Sequence, residues 1–177
     1  MYTYIVLLRG INVGGKHVLP MKELVSTLES MGYQDVQTYI QSGNVVFRSH
    51  NALDEKDAQE IGQEILSQKG FEPSVMLIDA PGFQEAITHN PYPTDTGKAL
   101  HFYFLESQPA EPDFERMTSL RTDSEEFALG DGVFYLYAPQ GVGRSKLAAN
   151  IEKSLGVAVT ARNWNTVSKL AEMAQSA

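Results

Sequence analysis

Residues 9–16 of the chain read Arg9-Gly10-Ile11-Asn12-Val13-Gly14-Gly15-Lys16. This glycine-rich stretch follows residues 3–9, a β-branched and aliphatic run of strand length. After it, Pro20 suits the first turn of a helix, and apolar residues recur at helical spacing until Gly32. The stretch therefore predicts a strand, a glycine-rich loop and a helix over residues 20–31.

The rest of the first half continues this order. Residues 36–42 and 44–48 are two short β-rich runs, and Gly43 between them predicts a tight hairpin or a bulge. Residues 54–69 carry apolar side chains on one helical face and end at Gly70. Residues 74–79 predict a further strand. The first half thus reads βαββαβ.

A connector rich in proline and glycine, residues 81–98, separates the two halves. After it come a strand at 100–105, a helix at 112–120, and strands at 125–129 and 133–138 turning on residues 130–132. A helix at 145–155 and a strand at 157–160 follow, and Asn163 or Asn165 is placed to cap a final helix reaching about residue 174. The second half therefore repeats βαββαβ in element order, without a matching residue repeat.

Two successive βαββαβ units predict an α+β protein with two four-stranded antiparallel sheets and helices on one face of each, the ferredoxin-like arrangement. The predicted domains are a first unit at residues 1–80, the connector at 81–98, and a second unit at 99–177 that includes the C-terminal helix. The predicted fold is thus a duplication of one small unit.

The composition excludes several classes of function. The 177 residues, 42% of them hydrophobic, suffice to bury a core. With no cysteine, disulfides, thiolate nucleophiles and sulfur-ligated zinc are excluded. No apolar run approaches the roughly 20 residues that span a bilayer, and no basic region precedes the first apolar segment. We therefore expect a soluble cytoplasmic protein without a membrane partner.

The net charge of −8 argues against a general nucleic-acid-binding surface, which needs clustered Lys and Arg. The charge is unevenly distributed, because residues 51–143 carry 17 acids and 5 bases while the two end segments carry 5 acids and 9 bases. The basic surplus of the ends favours an anion-binding face there, and ordinary solvated charge is the alternative.

The glycine-rich stretch matches the phosphate-loop spacing G-x-x-x-x-G-K from Gly10 to Lys16. However, His17 stands where that motif has Ser or Thr, and Pro20 delays the helix that a phosphate loop enters directly. We instead predict a glycine-rich turn whose amides and Lys16 form an anion nest. The alternative is a flexible connection that needs positive φ at Gly14 or Gly15.

Three further stretches carry groups suited to ligand binding. Gln41, Ser42 and Asn44 are neutral hydrogen-bonding groups at the predicted hairpin, where simple turn chemistry is the alternative. Residues 141–146 open the predicted helix at 145–155 and carry two cations, which favours anion binding; there Ser145 as an ordinary N-cap is the alternative. In residues 160–166, Arg162 beside Trp164 suits a base or a phosphate, and a core role for the tryptophan is the alternative.

Other kinds of site lack support in the sequence. The four histidines do not share metal-ligand spacing, and no G-x-S-x-G elbow is present. The acidic residues Asp54, Glu55 and Asp57 lie at a predicted helix N-terminus, where they favour the helix dipole, so we interpret them as structural. We expect no metal site and no cofactor.

The stretches Leu8 to Gly15, Tyr39 to Phe47, Ser145 to Leu147 and Arg162 to Val167 resemble the signature segments of the uncharacterised bacterial domain of unknown function family 1697 (DUF1697). The resemblance runs over essentially the whole chain. It implies a duplicated ferredoxin-like α+β protein, and it implies no established reaction, substrate or catalytic residue.

The leading hypothesis is a binding protein for a small anionic ligand, a nucleotide or another phosphorylated metabolite, held in a pocket formed by the glycine-rich loop and the second unit. The predicted ligand-binding residues are Arg9, Asn12, Gly14, Gly15, Lys16, Gln41, Ser42, Asn44, Arg144, Ser145, Lys146, Arg162, Asn163, Trp164 and Asn165.

Two alternatives come from other classes of protein. An enzyme using the same pocket would need a general base, for which His17 is the candidate. A single-stranded RNA-binding module would stack bases on exposed sheet aromatics such as Tyr39, Phe47, Phe134 or Tyr137. The net negative charge argues against this alternative, and alternation along the strands predicts that most of these rings lie in the core. The sequence leaves the oligomeric state open.

Overall fold

The computed structural model describes residues 1–177, which form eight β-strands and six α-helices. In chain order these are β1 (Tyr2–Arg9), α1 (Met21–Ser30), β2 (Gln34–Tyr39), β3 (Asn44–Ser49), α2 (Glu55–Lys69), β4 (Ser74–Asp79), α3 (Ala80–Thr88), β5 (Leu100–Leu105), α4 (Phe114–Leu120), β6 (Glu126–Leu129), β7 (Val133–Tyr137), α5 (Ile151–Leu155), β8 (Val159–Asn163) and α6 (Trp164–Ser176). None of the helices has both the length and the apolar character needed to cross a membrane.

The strands form two four-stranded sheets, with the orders β2-β3-β1-β4 and β6-β7-β5-β8. Every pairing in both sheets is antiparallel. The two predicted antiparallel sheets are therefore confirmed. By its contacts the chain divides into one unit of Met1–Gln84 with Lys169–Ala177 and another of Glu85–Ser168.

The core of the first unit follows from the alternation of β1. Tyr4, Val6 and Leu8 point to one face of the sheet, where they pack in one cluster with Leu24 and Leu28 of α1 and with side chains of α2. Because successive strand residues point to opposite faces, Ile5 and Leu7 lie on the other face, and they are buried too. A central strand buried on both faces explains why β1 reads as a continuous apolar run.

Helix α2 begins with a capping box. The Asp54 side chain accepts from the Lys56 amide over 2.8 Å, and the Asp57 carboxylate accepts from the Asp54 amide over 2.7 Å. The helix ends at Gly70, whose φ is 81°. The structural interpretation of this acidic cluster is thus confirmed.

The second unit has a core of the same kind. Tyr103 and Leu105 of β5 cluster with Phe134 and Leu136 of β7 and with Met117 of α4. The N-cap of α6 is Asn163, whose Oδ1 accepts from the Thr166 amide over 3.1 Å. Of the two asparagines predicted as caps, the first therefore has this role.

The predicted helix over residues 145–155 is correct only in its last five residues. Residues Ala148–Asn150 form a short 3-10 turn and only Ile151–Leu155 are α-helical. The Asn150 side chain donates to the Lys146 carbonyl over 2.8 Å, taking the acceptor that a continuous helix would use for the Asn150 amide. That amide donates instead to Leu147. Two strands also differ in bounds, since β2 spans Gln34–Tyr39 instead of 36–42 and β8 spans Val159–Asn163 instead of 157–160.

Candidate functional site

Three chain segments of the first unit meet at one end of its sheet. In the strand register, Leu7 of β1 lies opposite Asn44 at the start of β3, and Arg9 lies opposite Ser74 at the start of β4. The loop after β1 therefore emerges beside the loop before β3 and the segment before β4. We call residues 9–19, 40–44 and 71–74 together the loop end.

Asn12 joins two of these segments through its side-chain amide. The amide nitrogen donates to the Leu19 carbonyl over 2.9 Å and to the Gln41 carbonyl over 2.8 Å, while its oxygen accepts from the Leu19 amide over 2.8 Å. Both donor hydrogens of the side chain are therefore used. Asn12 has a φ of 52°, a conformation that asparagine tolerates better than most residues.

Gly43 brings the hairpin loop against β1. Its carbonyl accepts from the Leu8 amide over 2.8 Å, and its φ is 80°. A Cβ at this position would lie 2.6 Å from Cβ of Leu8 and 2.9 Å from Cδ1 of Ile11. Only glycine allows the two segments to approach this closely.

The glycines of the loop form a tight turn, and they do not form a phosphate loop. Gly14 and Gly15 have φ values of 59° and 71°, the positive φ that the alternative of a simple connection needs, and these values match a type I′ turn. The Lys16 amide donates back to the Val13 carbonyl over 3.0 Å, so this amide is not free to cradle an anion. Helix α1 begins only at Met21.

His17 is held in a defined orientation. Its Nδ1 lies 2.9 Å from the Gly10 carbonyl oxygen, and its ring stacks on Phe71 with ring centroids 4.6 Å apart. A carbonyl oxygen only accepts, so Nδ1 carries the proton of the neutral ring and Nε2 is left as a proton acceptor.

The hairpin loop contains one buried amide and two exposed polar groups. The Asn44 side chain is fully buried, and its Nδ2 donates to the Tyr39 carbonyl over 3.1 Å. Gln41 and Ser42 are exposed. Ile40, which precedes them, is exposed and has a φ of 51°.

The charge of the loop end is mainly positive. Arg9 and Lys16 are exposed there, and Glu72 is the one acidic residue of the three segments. The arrangement therefore combines exposed cations with neutral hydrogen-bonding groups on loops that Asn12 and Gly43 fix in place.

In the second unit, Ser145 has a structural partner that the sequence did not reveal. Its hydroxyl donates to the buried carboxylate of Glu125 and accepts from the Ala148 amide over 3.0 Å. Glu125 also accepts from the Thr122 amide over 2.8 Å. The neighbours of Ser145 in the sequence, Arg144 and Lys146, are exposed.

The stretch at the end of β8 is partly buried. Burial lowers the pKa of Arg162 to about 10, and its guanidinium donates to the Ala161 carbonyl over 2.9 Å. The Trp164 ring is half-buried, and its centroid lies 5.8 Å from that of the Phe102 ring. This contact fits the alternative in which the tryptophan packs in the core.

Asn165 lies against the backbone of the connector. A Cβ at Gly97 would lie 1.8 Å from the Asn165 Oδ1, so no other residue fits at that position without moving the asparagine. The sequence predicted only that Gly97 belongs to the connector, because a glycine carries no sign of which side chain will pack on it.

Two of the aromatic residues proposed to stack RNA bases are unsuited to that role. Phe47 and Phe134 are fully buried, and they stack on Tyr33 and Phe127 with centroid distances of 4.2 Å and 5.7 Å. A base has no access to either ring, which agrees with the core position predicted for most of these side chains and excludes a stacking role for these two. Tyr137 is half-buried and stacks on another tyrosine.

A polar groove of about 520 Å³ runs between α1 and α2, outside the predicted site. Its side chains bind one another, with Lys69 to Glu23 over 2.6 Å and Thr27 to Gln68 over 2.8 Å. No group of three or more His, Asp and Glu side chains is arranged to hold a metal ion.

Comparisons with known proteins identify a family of unknown function and a similar solved structure. A family model described as "Protein of unknown function (DUF1697)" matches residues 1–135. Among solved structures, the chain is similar to conserved bacterial protein SP0830 from Streptococcus pneumoniae, with a TM-score of 0.72, 25% identity and 98% of each chain covered. No curated protein matches the chain.

Proposed function

The chain belongs to the DUF1697 family of proteins of unknown function, and on that premise we propose that it binds a small anionic ligand, a nucleotide or another phosphorylated metabolite. The ligand contacts the loop end of the first unit. Lys16 and Arg9 supply the charge, while Gln41 and Ser42 orient the ligand through neutral hydrogen bonds.

The observation that carries this proposal is the set of three hydrogen bonds made by the Asn12 side chain. Its amide binds Leu19 and Gln41, so the segment that carries Lys16 and the segment that carries Gln41 are held in fixed register. A surface prepared in this way pays less ordering entropy when a ligand binds. In this proposal Asn12 and the buried Asn44 position the loops, and the exposed side chains contact the ligand.

The test measures binding to the full chain by calorimetry at low and high salt, with ATP, AMP, ribose 5-phosphate and inorganic phosphate as probes. A charge-assisted hydrogen bond contributes about 1.5–3 kcal/mol, so we expect Lys16→Met to weaken the best probe by tenfold or more. The matched control is Lys56→Met, which removes an exposed lysine near the start of α2. The proposal is overturned if no probe binds, or if the two variants bind alike.

A second candidate function is catalysis at the same surface, and the orientation of His17 favours it. The Gly10 carbonyl fixes the proton on Nδ1, which leaves Nε2 as a general base. If the protein turns over a bound phosphorylated compound, His17→Gln should abolish turnover and leave binding within about twofold. Turnover that survives this change removes His17 from that role.

We also infer that the two units are duplicated ferredoxin-like folds joined by residues 81–98. The support is the strand order, since β2-β3-β1-β4 and β6-β7-β5-β8 have the same pattern and both are wholly antiparallel. Each unit also packs two helices on one face of its sheet.

A further inference from the structure

Exposed aliphatic side chains are concentrated at the loop end. Val13, Val18 and Ile40 expose 69%, 54% and 50% of their surface. Val13 follows Asn12 in the chain. Ile40 precedes Gln41, whose carbonyl accepts from the Asn12 side chain. Val18 follows His17, whose carbonyl accepts from the backbone amide of Asn12. Exposed apolar side chains that cluster, unlike single scattered ones, mark ligand or partner sites.

One of these aliphatic side chains stands beside a cation. Val13 and Lys16 are directly opposed across an antiparallel bridge, and the Lys16 amide donates to the Val13 carbonyl. Opposed residues point to the same face, with Cβ atoms about 5 Å apart. The turn therefore presents an apolar surface and a positive charge side by side.

Ile40 adopts a conformation that its side chain disfavours. Its φ is 51°, and a β-branched residue at positive φ is a strained outlier. The exposed side chain returns little burial energy to the fold. The strained backbone and the exposed aliphatic side chain thus belong to the residue that precedes Gln41. The side-chain amide of Gln41 can donate and accept hydrogen bonds.

We infer that the ligand of the loop end carries a flat ring system next to its anionic group, as a nucleotide does, and that Ile40 and Val13 contact the ring while Lys16 contacts the phosphate. This inference rests on the proposed function and narrows its ligand class. Ligand sites are lined mainly by apolar side chains with a few polar groups that fix orientation. Gln41 matches the donors and acceptors at the edge of a base.

The size of the surface favours a small molecule over a protein partner. A stable protein interface needs about 800 Å² on each side, with large anchors such as Trp, Tyr and Arg at its centre. Three aliphatic side chains on two loops provide much less apolar area than that. They are, however, sufficient to cover a ring system.

The test compares probes that share parts of one structure. The four common ribonucleoside 5′-monophosphates, their four nucleosides, ribose 5-phosphate and inorganic phosphate are titrated against the full chain. We expect at least one nucleotide to bind about tenfold or more tightly than both its own nucleoside and ribose 5-phosphate. The nucleoside lacks the phosphate that contacts Lys16, and ribose 5-phosphate lacks the ring that contacts Ile40 and Val13.

The decisive variant is Ile40→Gly, because it should weaken nucleotide binding without destabilising the free protein. Glycine adopts positive φ without strain, so the melting temperature of the free protein should not fall. Affinity for the best nucleotide should fall about fivefold or more, while affinity for inorganic phosphate should stay within twofold. The control is Leu66→Ser, which removes an exposed leucine from α2 and should leave nucleotide affinity unchanged.

Three results would overturn the inference, and they separate it from the proposed function. If ribose 5-phosphate binds as tightly as every nucleotide, the ring contact fails while anion binding stands. If no probe binds, both fail. If the wild-type chain self-associates and Ile40→Gly abolishes this without changing nucleotide affinity, the aliphatic surface is a contact between copies.

Discussion

The side-chain amide of Asn12 donates to the backbone carbonyl of Gln41, 29 residues later in the chain, over 2.8 Å. The same side chain also closes the loop of residues 12–19 on itself through Leu19. One residue therefore defines the shape of one loop and fixes its distance from another. The candidate site depends on this arrangement, because the exposed groups at the loop end lie on these two loops.

Replacing Asn12 by Ala should destabilise the protein markedly. The change removes three hydrogen bonds worth about 1 kcal/mol each and places Ala at a φ that it disfavours. We expect a loss of about 3 kcal/mol in the free energy of unfolding, measured by urea denaturation. Asn51→Ala is the control, since that side chain is exposed, and it should cost less than about 0.5 kcal/mol. Equal costs for the two variants would contradict the role of Asn12.

Gly43→Ala should be more costly than an alanine at another glycine of positive φ. The new Cβ would lie 2.6 Å from Leu8, so the cost of overpacking, about 1–3 kcal/mol, adds to the cost of the backbone conformation. Gly70→Ala is the matched control, because Gly70 has nearly the same φ and no atom within 4 Å of the new Cβ. The difference in unfolding free energy between the two variants isolates the close approach of the hairpin to β1.

The local elements of the first unit could be predicted from the sequence because their signals are local. A β-branched run, two glycines in a turn, Pro20 before a helix and Gly70 after one each act within a few residues. Apart from β2, the strands and helices of residues 1–80 accordingly lie close to their predicted bounds. The partner of Asn12 could not be predicted, because it is determined by the pairing of β1 with β3.

The failures in the second unit have a similar physical origin. Glu125 and Glu126 look alike in the sequence, yet only the first is buried, where it accepts from Ser145. Which of two adjacent acids points inward depends on the tertiary structure. In the same way, the predicted helix at 145–155 failed because the Asn150 side chain competes for a backbone acceptor, a choice that helix periodicity does not record.

His101 should make stability depend on pH below neutrality. Burial is the main effect and lowers the pKa of this half-buried histidine, while the Ala99 backbone opposes the shift. The unfolded chain, with a histidine pKa of about 6.5, then binds a proton more readily than the folded one. We expect stability to fall as pH drops through about 6.5, and we expect His101→Gln to reduce this slope. The control His89→Gln changes an exposed histidine and should keep the wild-type slope.

Tyr103 should make the fold sensitive to alkali. Burial, with a smaller contribution from the nearby Glu125 carboxylate, raises the pKa of this tyrosine to about 12. The unfolded chain ionises its tyrosines near pH 10, so the unfolded state is favoured as pH rises from about 10 to 12. We expect unfolding free energy to fall over this range, and we expect Tyr103→Phe to lessen the fall. Tyr2→Phe, at an exposed position, serves as control. If phenolate absorbance in the folded wild type shows all eight tyrosines ionising together near pH 10, the burial argument for Tyr103 is wrong.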